Sequence, residues 1–178
     1  MFDLILDFAR KNNLIKAVLL NGSRANPNAQ KDKFMDYDVV YVVDNTQSFI
    51  ENKDWIKDFG EILIMQEPDN PNLFVSEFSI EEKYTYLIQF KDGNRIDLTF
   101  AAIEFSKKIC LKEPYTVTLL DKHGIFPKHY APNDKILHIK KPSEKEFLVC
   151  CNEFWWVSTY IAKGLWRNQI IYALEVFN

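Results

Sequence analysis

Apolar residues recur along this chain with two different spacings, one helical and one strand-like. Phe2, Leu4, Ile5, Phe8 and Ala9 follow one another at three- and four-residue intervals, which predicts an amphipathic helix closing near Asn12 and Asn13. Leu14 to Asn21 then reads as a first strand. Asp36 to Val43, with VVYVV at its centre, reads as a second strand apolar on both faces and therefore buried. Thr46 is placed to cap a helix carrying Phe49, Ile50, Trp55, Ile56 and Phe59, with Gly60 ending it, and Glu61 to Gln66 forms a third strand. Glu67 to Ile80 holds Pro68 and Pro71 among Leu73, Phe74, Val75 and Phe78, so an irregular stretch that still packs down is expected. Lys83 to Phe90 and Arg95 to Phe100 flank Lys91-Asp92-Gly93-Asn94, a hairpin signal, because Gly and Asn accept positive φ.

The rest of the chain changes character. Ile103 to Lys112 predicts a helix, Tyr115 to Leu120 a sixth strand, and Asp121 to Lys141 a loop-rich link holding His123, His129 and His138. These histidines show no i, i+4 pairing and no cysteine partner, so the spacing does not suggest a histidine metal site. Ser143 followed by Glu146 is a capping box. It opens a helical pattern through Phe147, Cys150, Cys151, Phe154, Trp155, Ser158 and Ile161, which Gly164 is expected to interrupt. A second apolar set, Leu165, Ile170, Ala173, Leu174 and Phe177, continues to the last residue; such a stripe predicts self-association through these helices. The boundary between a mixed α/β region, 1–141, and the start of a helical one, 142–178, falls in the loop-rich link.

Composition narrows the class. Across 178 residues, 47% hydrophobic and 15% aromatic content supplies ample core and excludes a disordered chain. A net charge of −3 argues against a nucleic-acid footprint and fits, weakly, a cationic small molecule. No apolar run reaches membrane-spanning length. Three cysteines, Cys110 and the adjacent Cys150 and Cys151, form no disulfide framework, so a reducing cytoplasm is the simpler expectation.

The candidate chemistry lies between Leu19 and Val43. Asp36 and Asp38 stand two apart on a strand, so both carboxylates project from one face, a spacing suited to a shared Mg²⁺ that keeps positions open for phosphate oxygens. Gly22 leaves the preceding strand where a backbone can approach a ligand, and Ser23 and Arg24 add donors for phosphate. Each signal alone has an ordinary reading, a solvated strand end for Asp-x-Asp and a turn for Gly-Ser. Their order, strand, Gly-Ser, then Asp-x-Asp on the next strand, resembles the nucleotidyltransferase fold shared with DNA polymerase beta.

The segments LNGSRAN, DYD, IDLTF, KPSEKEF, CCNEFWWVSTY and IAKGLWR, spanning nearly the whole chain, resemble the aminoglycoside 6-adenylyltransferases, the streptomycin-modifying enzymes. That resemblance implies an α/β (α+β) mixed-sheet nucleotidyltransferase domain followed by the first helices of a helical domain, and transfer of AMP from ATP, with Mg²⁺, to a drug hydroxyl. It also implies phosphate contacts at Gly22 and Ser23, a metal held by Asp36, Asp38 and Asp97, and Lys163 reaching the triphosphate from the helical domain. From spacing alone, Asp97 is equally a partner for Arg95 or Lys91, and Lys163 a surface residue complementing a helix end. Asp97 is also the general-base candidate, and Glu153 the carboxylate offered to a cationic acceptor. Family members usually carry acidic residues where this chain has Asn21, Leu148 and Val149, and continue into a longer helical domain, so this chain is expected to be shortened there. Two alternatives stay open at this stage: a nucleotidyltransferase with another acceptor such as a protein side chain, and an inactive nucleotide-binding remnant.

Overall fold

The computed structural model describes residues 1–75, 77–128, 130 and 138–177, with only the backbone of 109–111 described. It divides into two compact units, Met1–Leu137 and His138–Asn178. His129 and residues 131–137 of the loop-rich link lie outside the described residues.

The first unit is built on a six-stranded mixed sheet. In chain order it contains α1 (Phe2–Lys11), β1 (Ile15–Asn21), the single turn α2 (Gly22–Ala25), β2 (Tyr37–Val43), α3 (Gln47–Glu51), a 3-10 helix (Asp54–Phe59), β3 (Ile62–Gln66), β4 (Lys83–Phe90), β5 (Arg95–Ala102), α4 (Ile103–Lys112) and β6 (Thr116–Asp121). The strands lie in the order β3-β4-β5-β2-β1-β6. Only β2 and β5 run parallel, at the centre; the other four pairings are antiparallel.

Period-two alternation sorts the central strands into two faces. Val39, Tyr41 and Val43 of β2, Tyr84, Tyr86, Ile88 and Phe90 of β4, and Ile96, Leu98 and Phe100 of β5 enter the larger core with Ile5, Ala9, Phe49, Trp55, Ile56 and Phe59. Phe100, fully buried, is the hub of its aromatic cluster, with ring centroids 4.1 Å from Phe49, 5.0 Å from Trp55 and 5.6 Å from Tyr41. The Tyr41 hydroxyl would be costly to bury unpaired, and it donates to the Ile5 carbonyl at 2.7 Å, tying α1 to the sheet. On the opposite face Ala17, Leu19, Val40, Val42, Ala101 and Phe126 form a second, smaller core.

Several sequence expectations are corrected here. In α1 only Ile5 and Ala9 are buried; Phe2 and Leu4 are exposed. The helix expected after Thr46 breaks into α3 and the 3-10 helix, because Asn52 turns extended at φ −118°, ψ 110° and its side chain accepts the Asp54 N–H at 2.9 Å. Thr46 does not cap with its side chain; its hydroxyl donates to the Ile80 carbonyl at 2.6 Å. The stretch after β3 packs through a few apolar contacts, Ile80 against the larger core and the Phe78 ring edge-on to Phe105 at 5.1 Å, and is held further by charge. Leu73, Phe74, Val75 and Phe78 are exposed, while Lys53 pairs with Glu67 at 2.7 Å and Lys83 with the buried Asp69 at 3.1 Å.

The second unit holds α5 (Glu144–Trp166) and α6 (Ile170–Phe177). Ser143 and Glu146 form the capping box in full. Gly164 does not interrupt α5. It is buried, and a Cβ there would lie 3.0 Å from Tyr172 and 3.1 Å from Ala173, so the glycine lets α6 pack closely. The chain turns at Asn168, just beyond the end of α5 at Trp166, where its φ of 55° is the left-handed value asparagine tolerates.

Candidate active site

The parallel register sets Asp38 of β2 opposite Asp97 of β5. Both point away from the aromatic core, because their neighbours Val39 and Leu98 point into it. Asp36 lies one residue ahead of β2 rather than inside it, and its side chain still joins the other two. One carboxylate oxygen from each of Asp36, Asp38 and Asp97 lies within 4.8 Å of the others, the span over which three carboxylates ligate one hard cation. Among the described residues no histidine or cysteine joins them.

Gly22 closes the site from β1. Its φ is +66°, and a Cβ would fall 2.0 Å from Asp38 Oδ2 and 2.8 Å from its Cγ, so the backbone abuts the carboxylate with no room for a side chain. Ser23 follows on the exposed surface of the single turn α2. Arg24 is committed elsewhere than to an open cleft. Its Nε and Nη2 donate to the carbonyls of Asp36 and Met35, both at 2.7 Å, and its guanidinium stacks on the Tyr37 ring at 3.7 Å. Arg24 therefore fixes the backbone that presents Asp36 and Asp38. Asn21, just before the glycine, is buried and accepts from the Thr116 hydroxyl at 3.0 Å, locking β1 to β6 beside the site.

A cleft of about 350 Å³ opens over the carboxylates, lined among others by Gly22, Asp38, Lys83, Asp97, Phe105 and Glu113. Sequence reasoning did not single out Lys83, Phe105 or Glu113, because only the tertiary fold brings them beside β2. Arg95 was considered only as an alternative partner of Asp97. It donates to both Asp97 oxygens, from Nε at 2.8 Å and Nη2 at 2.7 Å, and its Nε lies 3.8 Å from Asp36. Asp97 is thus at once a member of the triad and the partner of Arg95.

The Asp38 carboxyl is pushed up from its ordinary 3.8 to about 6, first by burial and then by the charges of Asp36, Asp97 and Glu113, with Arg95 opposing. A carboxyl raised on folding holds its proton more tightly in the folded chain than in the unfolded one. Its ionised form therefore costs stability above about pH 6, and the cost fades as pH falls toward the unfolded value. With a chelator present, Asp38→Asn is expected to stabilise the chain at pH 7.5 by about 1 kcal/mol, discounted because the group is partly solvated. The gain should vanish near about pH 4. Urea denaturation at both pH values checks this, and a variant less stable than wild type at pH 7.5 would rule out the electrostatic account.

Two further sequence candidates lie in the second unit. Lys163 is exposed in the last turn of α5, its ammonium 5.0 Å from the centre of the Tyr160 ring. Glu153 is exposed at mid-helix, beside Val149, Cys150 and Phe154 along an apolar groove between α5 and α6. Glu146, by contrast, is committed to Ser143, whose hydroxyl and N–H both donate to it at 2.7 Å.

Carboxylates facing one another across adjacent parallel strands, with a Gly-Ser turn pressed against one of them, define the nucleotidyltransferase class of fold. Comparison with known proteins agrees. Residues 1–178 match the family described as streptomycin adenylyltransferase. The chain is 42% identical to an aminoglycoside 6-adenylyltransferase of Bacillus subtilis (strain 168), covering 100% of this chain and 62% of the relative. It is 37% identical to one of Staphylococcus aureus, covering 100% and 63%. A crystal structure of an aminoglycoside 6-adenyltransferase from Bacillus subtilis superposes with a TM-score of 0.57 at 38% identity, over 100% of this chain and 60% of that one. The chain belongs to the streptomycin adenylyltransferase family. It spans about three fifths of the length of the curated relatives it matches. No helix among the described residues is long and apolar enough to cross a membrane.

Proposed function

We propose that this chain carries the transfer centre of an adenylyltransferase that moves AMP from ATP to a hydroxyl of an aminoglycoside such as streptomycin. The observation that carries the reading is the convergence of Asp36, Asp38 and Asp97 within 4.8 Å, with Asp38 and Asp97 lining a cleft and Gly22 pressed against Asp38. Three hard oxygen donors with a net negative charge fit Mg²⁺, and Asp36, Asp38 and Asp97 would hold it. Bound there, Mg²⁺ would supply neutralisation of phosphate charge and a lower pKa for the acceptor hydroxyl.

The chain's own residues supply the rest. Gly22 and Ser23 offer backbone and hydroxyl donors to phosphate oxygens, and Arg24 keeps the strand lead-in rigid through its two carbonyl contacts. Asp97 is the proposed acceptor of the hydroxyl proton, a role that overlaps with holding the metal. Lys163 toward the triphosphate and Glu153 toward a cationic acceptor enter through the family resemblance. Glu153 is supported further by its exposure and by the capping box that occupies Glu146.

ATP is expected to bind only with a divalent ion, since the three carboxylates otherwise repel the triphosphate. Calorimetry with and without Mg²⁺ tests this, and Asp36→Asn should weaken ATP binding at saturating Mg²⁺. Equal affinity for the variant and wild type would sink the metal assignment. Following pyrophosphate release and AMP incorporation with streptomycin tests the acceptor; AMP found on protein rather than drug would redirect the reading to a protein acceptor.

A further inference from the structure

We propose that Arg95 is a resident counter-cation of the carboxylate triad: it holds the divalent-ion site in the nucleotide-free protein and transfers its guanidinium to phosphate oxygens when the metal–nucleotide enters. The proposal rests on the reading of Asp36, Asp38 and Asp97 as metal ligands.

Arg95 is the first residue of β5 and Asp97 the third, with Ile96 alone between them, so both side chains rise from the same face. Its fork engages both Asp97 oxygens at 2.8 and 2.7 Å, and its Nε also lies 3.8 Å from Asp36. One guanidinium thereby balances two of three converging carboxylates. Asp38, the third member, receives no hydrogen bond from the guanidinium.

The geometry that neutralises Asp97 also obstructs it. Bidentate pairing occupies both oxygens from one side, so a cation that takes Asp97 as a ligand must share or displace the guanidinium. The Arg95 side chain is 46% exposed, and among the described residues the groups that hold it are the Asp97 and Asp36 carboxylates, the same groups an incoming cation would claim. An arginine released beside an incoming triphosphate meets oxygens of the geometry its fork already matches. An ordinary solvated ion pair at a strand end would have no such reciprocal behaviour, which makes the two roles separable by experiment.

The test measures Mn²⁺ binding to the nucleotide-free chain by calorimetry or electron paramagnetic resonance, and ATP binding at saturating Mg²⁺. Wild type is compared with Arg95→Ala, Arg95→Lys and Asp38→Asn, each first checked for folding by circular dichroism. Arg95→Ala should bind Mn²⁺ about tenfold more tightly, the lower end for a charge-assisted hydrogen-bonded pair because the site is partly solvated, and should bind ATP about tenfold more weakly. Arg95→Lys, which keeps the charge without the fork, should fall between in both measurements. Opposite signs in the two assays are what a merely structural role does not produce. If Mn²⁺ binding requires Asp38 but is unchanged or weakened in both Arg95 variants, the counter-cation idea is overturned and the metal site stands. If Mn²⁺ binds neither wild type nor Arg95→Ala, or binds Asp38→Asn as well as wild type, the metal reading falls and this proposal with it.

Discussion

On the proposed function, replacing Gly22 with alanine is expected to lower AMP transfer by about 100-fold or more while leaving a folded chain, because displacement of a positioned group by about an ångström is enough for a loss of that order. Two costs act at this position. The φ of +66° is left-handed, which an alanine pays for at about 1 kcal/mol, and the new methyl group would collide with the Asp38 carboxylate at 2.0 Å. The carboxylate is the softer partner, so Asp38 swings away and the triad opens. Gly93 separates the two effects. It too has positive φ, +90°, but a Cβ there meets nothing within 4 Å. Gly93→Ala should lose comparable stability and retain transfer. A Gly22→Ala variant within about threefold of wild type, on a scale where about 1.4 kcal/mol is tenfold, would show that Asp38 is not held where the proposed transfer needs it.

The second large effect concerns stability. Phe100→Ala should destabilise the first unit by about 3–5 kcal/mol, the range for truncating a buried aromatic side chain. Phe100 is fully buried, and its ring meets those of Tyr41, Phe49, Trp55 and Tyr86, so neighbours drawn from β2, α3, the 3-10 helix and β4 would all face the cavity. Its backbone also pairs with Tyr41 of β2 and Tyr84 of β4. Chemical denaturation followed by tryptophan fluorescence reads the effect directly. A loss below about 1 kcal/mol would mean that the aromatic cluster collapses into the space, against the rigid packing argued for it.

Much of this architecture was legible because local chemistry and tertiary structure agree. Alternating burial in β4 and β5, the turn at Gly93, the capping box at Ser143 and Glu146, and the Asp36 and Asp38 pair all follow from spacing that any strand or helix imposes. What was not legible depends on partners distant in sequence. Thr46 has the composition of a helix cap, yet its hydroxyl serves Ile80, and no local pattern announces a partner 34 residues away. Gly164 has the composition of a helix breaker, yet it is retained for the closeness of Tyr172 and Ala173. Arg24 sits in the turn as a phosphate ligand would, but two carbonyls and the Tyr37 ring claim it. On spacing Asp97 reads either as ligand or as ion-pair partner; the fold gives it neighbours for both, Asp38 across the strands and Arg95 along its own.

The pairing of β2 with β5 also fixes when the site can exist. Its two facing carboxylates are brought together by parallel strands, with β3 and β4 lying between them in sequence, so their encounter must follow closure of a long loop. Contacts of that range form slowly compared with hairpins such as β4 and β5. During synthesis, the chain up to Val43 holds α1 and the β1 and β2 pair while lacking the third carboxylate. Until β5 has left the ribosome and docked, the nascent protein holds Asp36 and Asp38 without Asp97 or Arg95, so the proposed metal and nucleotide site exists only once β5 is in place.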